Sequence, residues 1–206
     1  MGTAVAVARA NGEAGEVRYV QQTRAGLQPI EVTLQGPSAT ASMLQGPATF
    51  GAEVDPAEAL RPLGLEAEAA DPHLPPQVVS TGLPHLMLPV RSVDDLAQIA
   101  PDFTALHHLL KPRGAFGVYA ACCDPVAGTA QARFFFRDPR VGEDPATGSA
   151  AGPLCAYLNR HAGFPAVKIT QGVEMGRPSH LRAEAVNDHI RVSGDVVVVV
   201  DGTVKL

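Results

Sequence analysis

The sequence predicts an α/β (α+β) fold in which short strands dominate and each half of the chain buries one apolar helix. Three observations point to it. The 206 residues include 20 Gly and 18 Pro, which cut the chain into short elements joined by sharp turns, unlike the longer uninterrupted runs of a helical bundle. Aromatic residues are only 5% and Trp is absent, so Val, Leu and Ala must fill the core. The third observation is an internal repeat. Met1–Ala8 and Gly148–Cys155 are tiny-residue apolar runs opened by Gly-Thr and Gly-Ser. Each is followed by a turn (Asn11-Gly12, Ala162-Gly163) and then by a strand (Val17–Gln21, Val167–Thr170). Next come Gln22-Thr23 or Gln171-Gly172, a glycine at Gly26 or Gly176, and a further strand (Ile30–Leu34, Leu181–Val186). Order and spacing agree over about 35 residues, which a single chance match would not produce.

Taken in order, the opening run is ambiguous by itself, because Val5 and Val7 alternate with alanine as a strand would. The repeat selects a helix, apolar all round and therefore buried, wrapped by sheet. On the template of the second half, elements from about Gln77 to Thr147 precede the helix. Roughly 70 residues are then expected before Met1. Ala39–Leu44 reads as a strand, and Asp55 caps a short helix with Pro56 at its first position. The acidic, proline-rich Ala67–Pro76 is the best linker, giving lobes 1–72 and 77–206 with the first lobe incomplete. Val78–Ser80 and His85–Val90 are strands on either side of the Gly82-Leu83-Pro84 turn. Ser92 caps a helix over Val93–Ile99, and Asp102 or Thr104 starts another through Leu110. Phe116–Cys123 and Gln131–Phe136 form a hairpin across Asp124–Thr129. His189–Val192, a Ser193-Gly194 turn and a buried strand Val196–Val200 close the chain.

Composition excludes several functions. A net charge of −5 and the lack of any Lys/Arg cluster argue against nucleic-acid binding. No apolar run approaches the ~20 residues of a membrane span, and there is no charged segment leading into a hydrophobic leader. The expectation is a cytoplasmic protein without a membrane partner. Cys122, Cys123 and Cys155 form neither a disulfide framework nor a zinc pattern. His107, His108 and His161 carry no metal spacing. Neither G-x-x-x-x-G-K-[ST] nor G-x-G-x-x-G is present, so a nucleotide loop has no support.

The most informative stretch is Gly142–Gly152, GEDPATGSAAG. Asp144-Pro145 imposes an extended or turning backbone. Thr147, Gly148 and Ser149 are cap-type residues, and Leu154, Tyr157 and Leu158 continue with helical spacing. The first turn of such a helix presents unpaired N–H groups, and small residues let a carboxylate or phosphate approach them. Asp144 stands at the rim, where it can handle a proton. An ordinary capped helix behind an Asp-Pro turn is the plainer alternative.

Glu143–Ala150 (EDPATGSA), with Leu154 and Tyr157-Leu158, resembles the signature of the phenazine-biosynthesis isomerase family (PhzF-like). Gln171-Gly172, Gly176-Arg177-Pro178-Ser179 and Ser80-Thr81-Gly82-Leu83-Pro84 extend the resemblance along almost the whole chain. It implies two pseudo-repeated lobes, each a barrel-like, mostly antiparallel sheet around a central helix, with the site in the cleft between them. It also implies an isomerase or epimerase that moves a proton on a small carboxylic acid without cofactor or metal. Such chemistry needs a group to take a proton from carbon, a group to return one, and donors for the developing charge. Asp144 and Ser149 are the expected catalytic residues, with Thr147, Gly148, Ala150 and Arg177 binding substrate. Glu143 is read as solvent-facing. Arg177 is equally well read as one arm of a structural salt bridge, and His85 as a strand histidine. Cys122 and Cys123 are read as core filling, although some racemases of related shape use a cysteine pair. The family's catalytic glutamate and its Gly-His-Pro-Thr turn are not in this sequence. That departure keeps a second reading open: a short paralogue that binds a small acid, or assembles as a homodimer or with a partner, without turnover.

Overall fold

The computed structural model describes residues 1–23, 26–200 and 202. The chain packs into two compact units, Met1–Leu44 with the segment beginning at Ser193, and Gln45–Val192.

In the smaller unit, α1 (Gly2–Ala10) is followed by β1 (Gly15–Thr23), β2 (Gly26–Gln35) and β3 (Ser38–Gln45). β1 and β2 pair antiparallel from Gly15↔Leu34 to Thr23↔Gly26, and β2 and β3 from Ile30↔Met43 to Gln35↔Ser38. Ala4, Val5 and Ala8 of the helix close over Ile30, Val32, Ala39 and Ala41. The expected helix is therefore present, but it is not buried all round. Only the stripe at positions 4, 5 and 8 meets the sheet, and Val7 is 42% exposed.

In the larger unit the elements are β4 (Thr49–Glu53), α2 (Pro56–Leu60), β5 (Gln77–Ser80), β6 (Pro84–Pro89), α3 (Val93–Ala97), α4 (Phe103–Leu110), β7 (Gly117–Asp124), β8 (Thr129–Phe136), β9 (Glu143–Asp144), α5 (Gly148–Ala162), β10 (Ala166–Gln171), β11 (Ser179–Val186) and β12 (His189–Val196). The spatial order is β12-β11-β10-β8-β7-β6-β5-β4, with β9 added to β8. β8·β10 and β6·β7 are parallel. The pairs β4·β5, β5·β6, β7·β8, β8·β9 and β10·β11 are antiparallel. The result is a mixed α+β fold with a mostly antiparallel sheet and few helices.

The short helices start where side chains satisfy their first amides. Asp55 Oδ1 accepts from Glu58 N at 3.0 Å, Ser92 Oγ from Asp95 N at 3.1 Å, and Asp102 Oδ1 from Thr104 N and Ala105 N at 2.9 and 3.1 Å. Strand alternation then sorts the sheet residues between two surfaces. Leu86 and Leu88 of β6, Val118 and Ala120 of β7 and Phe135 of β8 join Leu60, Leu96, Leu106 and Leu110 of α2, α3 and α4 in one core. The alternate positions His85, Tyr119 and Phe134 point the other way, and α5 packs on β5, β6, β10 and β11.

Four features differ from the sequence reading. β4 is a strand without a counterpart in that reading, and α3 stops two residues short of the expected Ile99. Ser193 and Gly194 do not turn; they lie inside β12, because neighbouring strands override local turn propensity. Val197–Val200 forms no strand, and Val199 and Val200 are 88% and 85% exposed.

Gly117 has no room for a side chain: a Cβ there would collide with the Phe134 ring and lie 2.6 Å from Phe135 O. Gly117→Ala is expected to cost about 2 kcal/mol through overpacking, read as a lower urea midpoint at unchanged slope.

Candidate active site

The loop into α5 is placed by a hand-over along one edge of β8. Its first half pairs with β10, ending at Ala132↔Gln171. Two residues on, the same strand pairs with β9 at Phe134↔Asp144 and Phe135↔Glu143. The end of β10 therefore meets the start of the Asp-Pro loop. Arg133 fixes the outer side of this junction. Its side chain is 9% exposed, grips Glu143 through two bonds of 2.8 and 2.9 Å, and donates to the carbonyls of Leu96 and Ile99. Glu143 is thus a structural ion-pair partner, 18% exposed, rather than a solvent-facing carboxylate.

Gln171, fully buried, holds the inner side. Its Nε2 donates to Asp144 O at 2.6 Å and to Thr147 Oγ1 at 2.9 Å. Its Oε1 accepts from Thr147 N at 3.1 Å and from the buried Tyr119 hydroxyl at 2.9 Å. All four hydrogen-bonding positions of the amide are filled. Thr147 in turn donates from Oγ1 to Asp144 Oδ2 at 2.8 Å. The Asp144 carboxylate is therefore held on the loop, half-buried, with Oδ1 only 3.5 Å from Ala146 N as its other contact.

This network leaves the helix entrance open. The Thr147 side chain is spent on Asp144 and does not cap α5. Ala150 N and Ala151 N both turn to Thr147 O. Among the described residues, no acceptor takes the amides of Gly148 and Ser149. Two N–H groups at the positive end of a 15-residue helix are available to an anion. The Ser149 hydroxyl lies beside them, 3.2 Å from His85 Nε2.

Small residues keep the surroundings tight. Gln45 and Thr81 pack over Gly152, where a Cβ would strike Gln45 Oε1. Gln45 Nε2 donates to Gly148 O at 3.1 Å, and Thr81 Oγ1 donates to Gln45 Oε1 at 2.6 Å. Gly172 has φ +84°, and a Cβ there would lie 2.9 Å from Pro145 O, so glycine alone lets the 172–177 loop close on the Asp-Pro turn.

The sequence-selected residues are thus brought together unequally. Asp144, Thr147, Gly148 and Ser149 form one cluster. The Ala150 amide is taken by Thr147 O at 3.0 Å. Arg177 is exposed and makes no salt bridge among the described residues; its backbone is tied on both sides, the N–H donating to Gly172 O at 2.9 Å and the carbonyl accepting from Ser179 Oγ at 3.5 Å. Sequence reading missed His85, Gln171 and Gln45 as parts of this cluster. Gln171 carried two signals, its place in the Gln171-Gly172 match and its position as a polar residue ending an otherwise alternating strand.

His85 is fully buried, and its Nδ1 has no hydrogen-bond partner among the described residues. Burial pushes its pKa down from 6.5 to about 4, so it is neutral at physiological pH. The unfolded chain protonates this imidazole below pH 6.5 and the folded chain does not. Its contribution is therefore complete above pH 6.5 and is lost as pH falls toward 4. The expected loss is up to about 3 kcal/mol, read as the part of the acid-induced drop in midpoint that disappears in His85→Phe. Burial also pushes the Cys123 and Cys155 thiols up to about 12, as core filling rather than thiolate chemistry requires. No group of His, Cys, Asp and Glu able to hold a metal occurs among the described residues. A mostly apolar cavity of about 230 Å³ lies by Leu158, His161 and Ala162 at the other end of α5, where the helix dipole disfavours an anion.

An α+β fold of this arrangement is that of epimerase-like proteins. Residues 1–202 match the family model described as phenazine biosynthesis-like protein (PhzC-PhzF), and the chain belongs to that family. A trans-2,3-dihydro-3-hydroxyanthranilate isomerase from Pseudomonas aeruginosa is 35% identical over 198 residues, covering 94% of this chain and 66% of that protein. A predicted epimerase from Pseudomonas aeruginosa, solved as a structure, is 30% identical with a TM-score of 0.79, over 97% of this chain and 73% of the other. A PhzF-family phenazine biosynthesis protein from Bacillus anthracis shares the fold at 22% identity and TM-score 0.77, over 94% and 71%. The chain spans about two thirds of the length of these relatives.

Proposed function

We propose that this chain acts as a cofactor-independent isomerase of the phenazine-biosynthesis type, on a small carboxylic acid held at the entrance of α5. The observation that carries the reading is the pair of open amides at Gly148 and Ser149, beside the Ser149 hydroxyl and an oriented Asp144. The substrate carboxylate accepts from the two amides and from Ser149 Oγ, whose donors are fixed before binding. Asp144 takes a proton from carbon or returns one; Thr147 and Gln171 hold its position. Thr147 and Ala150 serve this reading as scaffold rather than as direct ligands. Arg177, exposed on the loop packed against Pro145, is the cation that joins these donors at the substrate carboxylate.

The finer architecture belongs to the same proposal. Two pseudo-repeated lobes, 1–72 and 77–206, are supported by the order helix, strand, strand, strand in α1-β1-β2-β3 and again in α5-β10-β11-β12. A homodimer is supported by the end strand β1, with exposed apolar residues at Val20 on that strand and Leu27 on its partner β2.

One observation favours a second reading, binding without turnover. Glu143 and Glu174 both face Arg133, which leaves Asp144, among the described residues, as the one carboxylate of this loop cluster without a salt bridge. The test is incubation in D2O with trans-2,3-dihydro-3-hydroxyanthranilate, followed by mass spectrometry. Uptake of deuterium from solvent supports the isomerase. Binding without uptake supports the second reading, and absence of binding contradicts both.

A further inference from the structure

His85 is a buried titratable group beside the site that the proposed chemistry leaves without a task. It sits on β6, fully buried, with Nε2 3.2 Å from Ser149 Oγ and Nδ1 unpartnered among the described residues. The ring is locked edge-on against Phe134 at 5.0 Å, and Phe134 is flanked by Phe136 at 4.9 Å. A neutral imidazole has one proton to place. On Nδ1 it would be a buried donor with nothing to meet, whereas on Nε2 it reaches the serine oxygen and leaves only an unused lone pair. Orphaned buried N–H groups are the rarer and costlier case. The arrangement also differs from a nucleophile-activating relay. Among the described residues no carboxylate lies on Nδ1 to balance an imidazolium, so taking the serine proton would create an unpaired buried charge.

Resting on the reading of α5 as a carboxylate site, we propose that His85 is a positioning residue: its Nε2–H donates to Ser149 Oγ, so that the serine proton is offered outward to the bound carboxylate beside the two open amides. Ser149 is then a fixed third donor and not a nucleophile, and its oxygen no longer competes as an acceptor facing the anion.

The tautomer is observable without ligand, by long-range 1H–15N NMR of the imidazole. The expected spectrum shows a neutral ring protonated at Nε2, whose Nε2 resonance moves in Ser149→Ala. An Nδ1-protonated ring, or one indifferent to Ser149→Ala, overturns the inference. The second arm titrates 3-hydroxyanthranilate, the aromatic analogue of the acid in the relatives' name. His85→Phe, folded by circular dichroism, should weaken binding about tenfold, as should Ser149→Ala. The double variant should be no weaker than either single one, because both remove one donor. His85→Gln, whose amide N–H replaces Nε2–H, should restore most of the affinity. Unchanged affinity in His85→Phe, or additive losses in the double variant, overturns the inference. No binding by the unmodified chain despite the expected tautomer overturns instead the carboxylate-site reading on which the inference rests.

Discussion

Gln171→Leu is expected to be the most destabilising single change in the cluster, at about 3–5 kcal/mol. Leucine matches the volume, so the cost is not a cavity. It comes from the Tyr119 hydroxyl, the Thr147 N–H and the Asp144 carbonyl, which all lose their partner at once. Each buried group left unpaired costs about 1–3 kcal/mol. Gln171→Glu separates the two ends of the amide. It keeps the acceptor for Tyr119 and Thr147 N but sets an oxygen against Asp144 O and Thr147 Oγ1. Both variants should lower the urea midpoint, and the leucine variant should lower it further. A leucine variant as stable as the parent would mean that the network does not hold the loop.

Asp144→Asn should have the opposite profile. Asparagine can still accept from Thr147 through its amide oxygen, so the fold and the affinity for a carboxylate should be nearly unchanged. Proton transfer should fall by about 10²–10⁴-fold, the usual contribution of a positioned acid or base. The measurement is deuterium uptake per unit time at saturating acid, set beside KM. A fall in kcat at constant KM fits a proton-handling carboxylate, whereas a rise in KM alone would make Asp144 a binding residue.

The locally coded parts of the structure were legible in the sequence. Asp55, Ser92 and Asp102 announced their helices because a cap acts within three residues of itself. The β7–β8 hairpin and α5 followed from apolar patterning. The loop at Asp144–Ser149 stood out because few constraints other than a tight turn into a helix explain so many small residues together. What could not be read was set by distant pairing. Ser193-Gly194 looks like a turn until strands lie beside it. Glu143 looks solvent-facing until Arg133 arrives from the neighbouring strand. Met1–Ala8 looked buried all round because alanine is equally at home inside and outside. His85 and Ser149 are 64 residues apart, and only the parallel crossover linking β6 to β7, together with the packing of α5 on β6, brings them into contact. Gln171 was noticed as a motif, but its four bonds depend on the β8 edge passing from β10 to β9.

The central claim is that the amides of Gly148 and Ser149 hold a carboxylate. It is tested most directly by titrating the 15N-labelled chain with 3-hydroxyanthranilate and, in parallel, with 2-aminophenol, which lacks the carboxylate. The account expects saturable shifts centred on the Gly148 and Ser149 amides with the acid, and none there with 2-aminophenol. Shifts centred elsewhere, or equal shifts with both compounds, would contradict it.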